Sequence, residues 1–326
     1  MQATARAHTN IALIKYWGKR DEELFLPTNS NLSITLDRFF TTTSVVFDRT
    51  LTSDQFFLNG KLASGEETAK IARLLDIIRK MGGKDIYAKV DSDNQVPTAA
   101  GFASSASGFA ALAAAATKAI GLDVDEKTLS IIARQGSGSA CRSIYGGYVE
   151  WQKGEKEDGS DCYAKQILEE DAWDLSILSV LLESKQKKVL SREGMKRTVD
   201  TSVFYDGWLK TVEQDLQVAK AAIADRDFIR LGEVLEKNAL KMHATTLGAD
   251  PPFMYWQSAT FDVMYEVQAL REAGIHAYFT IDAGPNVKVI CRPEDEQAVK
   301  EAMLKIPTVQ DVFICHPGPG ITYITE

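Results

Sequence analysis

At 326 residues the chain is long enough for two domains of about 150 residues each. Hydrophobic residues make up 45% and charged residues 25%, ordinary proportions for a globular protein that exclude disordered, collagen-like and disulfide-stapled classes. Lysine and arginine number 37 against 45 acids, a formal net charge of -8; this argues against a general nucleic-acid scaffold but leaves room for a locally basic pocket that takes a small anion.

In chain order, the start Met1 to Asn10 has no apolar core of signal-peptide length. Stretches rich in β-branched residues at 32–36, 41–47 and 86–90 predict strands. Between them Ile71, Leu74, Leu75 and Ile78 have the spacing of an amphipathic helix over 66–80. The alanine-rich run 104–120 predicts a buried helix, and 148–151 and 174–182 predict further strands. A polar, basic stretch from Glu183 to Arg192 marks a change of texture. After it, helices are expected over 207–224, 227–247 and 258–273, strands over 277–281 and 287–291, a helix over 294–305 and a closing pair of strands. The expected organisation is α+β in two lobes, residues 1–185 and 186–326. No apolar run approaches the ~20 residues that cross a bilayer. Cys141, Cys162, Cys291 and Cys315 form no CxxC pair, and His8, His243, His276 and His316 show no ligand spacing. Reduced thiols and no protein-held metal are expected.

Five stretches could carry chemistry. Pro97-Thr-Ala-Ala-Gly-Phe-Ala-Ser-Ser-Ala-Ser107 opens the alanine-rich helix; small residues and free helix N–H groups suit an anion, though serine at a helix start is also ordinary capping. It is neither a GxxxxGK[ST] loop nor a GxGxxG fingerprint. Arg134-Gln-Gly-Ser-Gly-Ser-Ala-Cys-Arg-Ser143 reads as a small, hydroxyl-rich loop whose Arg142 could fork onto a carboxylate or phosphate, or lie solvated. Asn10-Ile-Ala-Leu-Ile-Lys-Tyr-Trp-Gly-Lys19 sets two lysines in an apolar context, where an anion would compensate them; a strand with snorkelling lysines is the alternative. Thr280-Ile-Asp-Ala-Gly-Pro-Asn-Val287 places one carboxylate before a Gly-Pro turn, as a base or as a turn former. Ser191-Arg-Glu-Gly-Met195 follows the change of texture. No Ser-His-Asp arrangement stands out.

In this order, over nearly the whole chain, the five stretches resemble the mevalonate diphosphate decarboxylases, of the superfamily of galactokinase and the homoserine, mevalonate and phosphomevalonate kinases. The Pro-x-x-x-Gly-x-x-Ser-Ser loop is shared by the superfamily and marks ATP use; 14–19, 136–143 and 282–287 are narrower. The resemblance implies a two-lobed small-molecule-kinase fold with its active site in the cleft, often a homodimer, in the cytoplasm, without nucleic acid or membrane partners. It implies an ATP-dependent carboxy-lyase that, with Mg2+, turns 5-diphosphomevalonate into isopentenyl diphosphate, ADP, phosphate and carbon dioxide. By the same resemblance Gly101, Ala103, Ser104, Ser105 and Ser107 hold the ATP phosphates, and Lys187 or Lys188 reaches the γ-phosphate. Tyr16, Lys19 and Arg192 hold the substrate diphosphate; Asn10, Ser137, Ser139, Ser191 and Met195 line the substrate. Arg142 holds its carboxylate, Asp282 faces its 3-hydroxyl, and Lys15 joins these two in the catalytic set. Phe102 replaces the family's usual leucine, a change of packing. A kinase or decarboxylase of a related mevalonate phosphate, or a non-catalytic ATP-binding module, are the alternatives.

Overall fold

In the computed structural model, which describes residues 1–96, 104–182 and 189–324, the chain opens with a 13-residue strand, Gln2–Ile14 (β1). The short strands Lys19–Asp21 (β2) and Leu26–Pro27 (β3) form a small hairpin before the long strand Asn31–Phe47 (β4). Two expected strands are thus one, with Asp37 and Arg38 exposed between them where the pairing with β1 shifts register between His8 and Asn10. From Thr41 onward burial alternates residue by residue, as one covered face requires. Gln55–Leu58 (β5), Lys61–Leu62 (β6), Ala88–Asn94 (β7), Tyr148–Trp151 (β8) and Ala164–Leu168 (β9) complete this part of the chain's strands.

The first helix, Gly65–Gly82 (α1), begins in a reciprocal capping box between Ser64 and Glu67 and stops at Gly83, whose φ of 60° is left-handed. Ser104–Ile120 (α2) matches the expected alanine-rich helix residue for residue. Its small side chains let it lie against Ala5, Ala7, Val45 and Val90 of the sheet and against Ile71, Leu74 and Ile78 of α1. Glu126–Gly136 (α3) starts on an Asp125 cap and leads into a 3-10 segment, Gly138–Ile144.

Ser176–Leu182 (β10) is a central strand of a second, antiparallel sheet. Helices Ser191–Thr201 (α4), Tyr205–Asp225 (α5), Phe228–Leu247 (α6) and Ser258–Glu272 (α7) follow. Then come Ala277–Ile281 (β11), Val287–Cys291 (β12), Glu296–Leu304 (α8), Val309–Cys315 (β13) and Thr322–Ile324 (β14). The second sheet has the order β11-β12-β10-β13. The chain therefore changes sheet between β9 and β10; residues 183–188 of the basic stretch lie outside the described residues. The last two strands do not pair with each other: β13 joins β10, and β14 returns to β1 in the first sheet.

One face of the second sheet packs Val180, Phe279, Ile281 and Val289 against α7 and α8. The other turns Ile177, Tyr278 and Ile290 toward Leu216 of α5 and Leu231 and Leu235 of α6, in one cluster with Ile11, Leu13 and Ile34 of the first sheet. A single apolar core thus joins both sheets. Among the described residues, no helix is long and apolar enough to cross a membrane.

Candidate active site

Lys15 follows the last residue of β1 and Asp282 the last residue of β11, so each sheet delivers one charged side chain to the junction. Lys15 is buried; its Nζ donates to Asp282 Oδ1 at 2.7 Å and to Ala12 O at 3.0 Å. The Asp282 side chain stays 38% accessible, deep in the molecule but open on one side. Burial raises the pKa of this carboxyl, but Lys15, Lys288 and Arg142 together outweigh burial and bring it down to about 2. Lys15 is shifted downward, by burial first, with Asp282 opposing. At neutral pH the carboxylate is ionised and can accept a proton.

Arg142 is also buried, yet its hydrogen bonds go to amide oxygens: Nε and Nη2 reach Asn10 Oδ1 at 3.1 and 2.8 Å, and Nη1 reaches Asn31 Oδ1. Among the described residues no carboxylate forms an ion pair with it. A buried guanidinium held only by neutral acceptors is poised for an anion. Asn10 is fixed in turn by donating to Ser143 Oγ at 2.8 Å and Ser139 O at 3.2 Å. Tyr16 packs on the Trp151 ring at 4.7 Å, with Arg142 6.0 Å from the same ring system. The Tyr16 hydroxyl is buried without a hydrogen-bond partner among the described residues, and burial pushes its pKa up. Gly138 makes this packing possible, since a Cβ there would lie 2.9 Å from Trp151 and 3.2 Å from the Tyr16 hydroxyl. Arg134, by contrast, is not solvated: it is buried and donates to the carbonyls of Leu24, Gly159 and Cys162.

Lys19 of β2 and Arg192 of α4 each lie near the ring of Phe25, at 4.8 and 5.3 Å from its centroid. Lys19 Nζ is paired with Glu22 at 2.5 Å, where the Glu22 side chain is 53% exposed. Arg192 lies in the first turn of α4, beside Ser191, and Met195 on the next turn packs into the core shared by the two sheets.

Ser104 and Ser105 are exposed at the start of α2, whose first turn carries no acid, so its N–H groups present positive potential. Beside them opens a cavity of about 270 Å³ lined in part by Phe56, Lys70, Asn94, Ser105 and Phe109. Ser137 joins α3 to the 3-10 segment, next to Gly136, which lies against the Phe109 ring. Ser107 differs from the other two serines: it is fully buried, its hydroxyl paired with Thr41 at 2.9 Å and donating to Ser104 O at 3.2 Å. Gly101, Ala103 and Lys187, with Phe102 and Lys188, lie outside the described residues.

Several residues at the junction carried no motif. Lys288, buried at 1% exposure in β12 opposite Thr280 of β11, reaches Asp282 electrostatically. A lone lysine in the apolar run Val-Lys-Val-Ile-Cys was its only signal. Asn31, Asn238 and His243 had none, because an amide or imidazole on an amphipathic helix or strand is unremarkable by pattern alone.

Two family models match the chain: a diphosphomevalonate decarboxylase-like N-terminal domain over residues 7–164 and a mevalonate 5-diphosphate decarboxylase C-terminal domain over residues 177–315. The diphosphomevalonate decarboxylase of Ganoderma lucidum is 38% identical, over 93% of this chain and 82% of its own length. The crystal structure of mevalonate diphosphate decarboxylase from Staphylococcus aureus is 49% identical, with a TM-score of 0.95 over 99% of this chain and 98% of that one. A complex of MDDEF with MVAPP, AMPPCP and magnesium is 48% identical, with a TM-score of 0.94 over 100% and 99%. With matched relatives across nearly its full length, the chain belongs to the diphosphomevalonate decarboxylase family.

Proposed function

We propose that this protein catalyses the ATP-dependent decarboxylation of 5-diphosphomevalonate, yielding isopentenyl diphosphate, ADP, phosphate and carbon dioxide. The observation that carries the reading is an ionised, cleft-facing Asp282 beside Lys15 and within electrostatic reach of the anion-free Arg142. A tertiary alcohol is a poor leaving group, so its oxygen must first be phosphorylated. Asp282 accepts the 3-hydroxyl proton as that oxygen attacks the γ-phosphorus, and the bond to ADP breaks. Phosphate then departs with the C–O electron pair, and loss of carbon dioxide supplies the electrons of the alkene. Arg142 forks onto the carboxylate and orients it. Lys15 stabilises the negative charge at Asp282 before transfer.

Lys19, Arg192 and the unpartnered Tyr16 hydroxyl form the diphosphate end, where Glu22 now occupies Lys19 and gives way to substrate. Asn10 and Ser139 hold Arg142's surroundings, Ser137 and Ser191 border the cleft, and Met195 backs it. At the other end Ser104 and Ser105 meet the ATP phosphates, with the nucleoside in the cavity beside α2. Ser107 supports that turn from behind. Among the described residues no group of three or more His, Cys, Asp or Glu could hold a metal ion. Magnesium would arrive on phosphate oxygens and water and would neutralise phosphate charge; the residues' own share is positioning and charge stabilisation. The reading extends to a cytoplasmic homodimer. Four free, buried cysteines support a reducing compartment. Val203 and Phe204, 78% and 54% exposed at the turn between α4 and α5, supply apolar surface for a subunit contact.

The test is an assay of purified protein with ATP and 5-diphosphomevalonate that follows ADP and carbon dioxide together. Equal yields of both are expected. ADP without carbon dioxide would mark a kinase, and activity confined to mevalonate 5-phosphate would move the substrate. Sedimentation at micromolar concentration tests the dimer.

A further inference from the structure

Helix α6 touches the backbone on both sides of the Lys15–Asp282 pair. Asn238 Oδ1 accepts the backbone N–H of Lys15 at 2.8 Å. Its own Nδ2 donates to Asp215 Oδ2 of α5 at 2.8 Å, and Asp215 is held by Lys241 at 2.6 Å. The carboxylate leaves the Asn238 amide only one orientation, with its oxygen toward Lys15. One turn and a half along the same helix, His243 Nε2 lies 3.2 Å from the carbonyl of Ile281, the residue before Asp282. A carbonyl accepts only, so the proton sits on Nε2. The ring rests 4.8 Å from that of Trp256. Asn238 and His243 are both buried, at 0% and 2% exposure, and the bonds described go to backbone and to Asp215. Glu236, two residues before Asn238 in the same helix, also accepts the backbone N–H of Phe279 in β11 at 3.1 Å.

We propose that Asn238 and His243 are positioning residues for the reaction: through two side-chain bonds to backbone, α6 sets the spacing between Lys15 of the first sheet and Asp282 of the second. This rests on the reading of Asp282 as the group that takes the hydroxyl proton. Each sheet alone places only its own half of the pair, and α6 is the element hydrogen-bonded to both backbones. A displacement near 1 Å at a reacting group costs on the order of 100-fold in rate, so loss of either bond should be read in turnover more than in ligand binding. Burial holds the His243 imidazole neutral, which suits a fixed hydrogen-bond donor rather than a proton carrier.

The experiment is a set of cycles between each residue and Asp282, by steady-state and single-turnover kinetics with ATP and 5-diphosphomevalonate. Asn238→Leu and His243→Phe should lower kcat by about 10-fold or more while both KM values stay within about two-fold. His243→Gln, which keeps a donor near the position of Nε2, should recover most of the rate. In an Asp282→Asn background the same substitutions should cost less than about two-fold, because they act through that carboxylate. Should His243→Phe not fold, Asn238→Leu carries the cycle by itself. Folded Asn238→Leu or His243→Phe with parent-like kcat, or losses that simply multiply with Asp282→Asn, overturn the proposal. A parent-like rate for Asp282→Asn alone would instead overturn the reading of Asp282 itself.

Discussion

Asp282 follows Lys15 by 267 positions in the chain, yet its Oδ1 lies 2.7 Å from the lysine Nζ. The pair joins the end of β1 to the end of β11 at the junction of the two sheets. Burying charge is expensive, and a buried ion pair is a weak source of stability. Its value here is chemical: the lysine side is closed to solvent while the carboxylate stays partly open to it.

Asp282→Asn keeps the side chain's shape and removes its capacity to take a proton. General-base assistance contributes about 10²–10⁴-fold, so kcat should fall by at least the lower figure. Affinities for ATP and diphosphomevalonate should change little. Thermal melting and single-turnover ADP formation on one preparation check this. If Asp282 only shaped the Gly-Pro turn, the variant would melt early and turn over normally.

Arg142→Lys should lower kcat/KM by about 10-fold or more, since a lysine cannot fork onto a carboxylate and ~1.4 kcal/mol is a tenfold change. The loss should be smaller against an analogue without the carboxylate, because the lost bond is to that group. Near-parent kinetics would remove Arg142 from the site.

The three serines of α2 should separate by role. Ser104→Ala or Ser105→Ala, or both, should weaken turnover or raise KM for ATP, as a hydrogen bond to a charged group is worth about 1.5–3 kcal/mol. Ser107→Ala should instead lower folding stability by about 1 kcal/mol, because its hydroxyl is buried against Thr41. Urea titration and ATP kinetics on the three variants measure both effects.

Burial lowers the His243 pKa from its ordinary 6.5 to about 3, against the pull of the Ile281 carbonyl and with Lys15 adding to the lowering. Between those values the unfolded chain holds a proton that the folded chain does not. Stability from this group is therefore full above pH ~6.5 and is lost progressively as pH falls toward ~3. The slope is about 1.4 kcal/mol per pH unit for one proton. His243→Gln should flatten the stability profile by about 2 kcal/mol between pH 6 and pH 4. Unfolding curves at three pH values decide it; an unchanged slope would mean the ring is already protonated in the folded protein.

Gly18 has φ of 118°, and a Cβ there would lie 1.7 Å from the Tyr205 hydroxyl. That hydroxyl donates to Trp17 O at 3.0 Å and pairs with Thr28 at 2.8 Å, tying α5 to the first lobe. Gly18→Ala should cost at least about 2 kcal/mol from backbone strain and overpacking. Adding Tyr205→Phe should recover the steric part, a coupling seen only if the contact is real.

Local chemistry made much of the fold readable. Helix α2 and strands β8, β11 and β12 were legible to the residue because alanine-rich burial and β-branched runs leave little choice. β1 was not singled out as a strand, since its 13 residues mix polar groups that pair with β4 and with the 3-10 segment. α3 and α4 were missed because both are short, eleven residues each. At the site, the motif stretches brought in Asp282, Arg142, Tyr16, Lys19 and Arg192. Pattern could not show that Phe25 gathers Lys19 and Arg192, nor that Asn238 and His243 face the junction. Such neighbourhoods exist only after the sheets pack. Arg134 looked identical in kind to Arg142 and proved to be a brace for the loop at 159–162.

The return of β14 to β1 has a consequence for synthesis. Thr4, Ala5 and Arg6 are paired with Ile324, Tyr323 and Thr322, so one margin of the first sheet stays uncovered until residues 322–324 have left the ribosome. During that interval, at about 5–20 residues per second, β1 offers free N–H and C=O groups of the kind that invite pairing with another nascent chain. A chain ending before Thr322 would carry that open margin permanently. Its first symptom should be self-association on the polysome, with the chemistry of the distant cleft still intact in whatever fraction escapes.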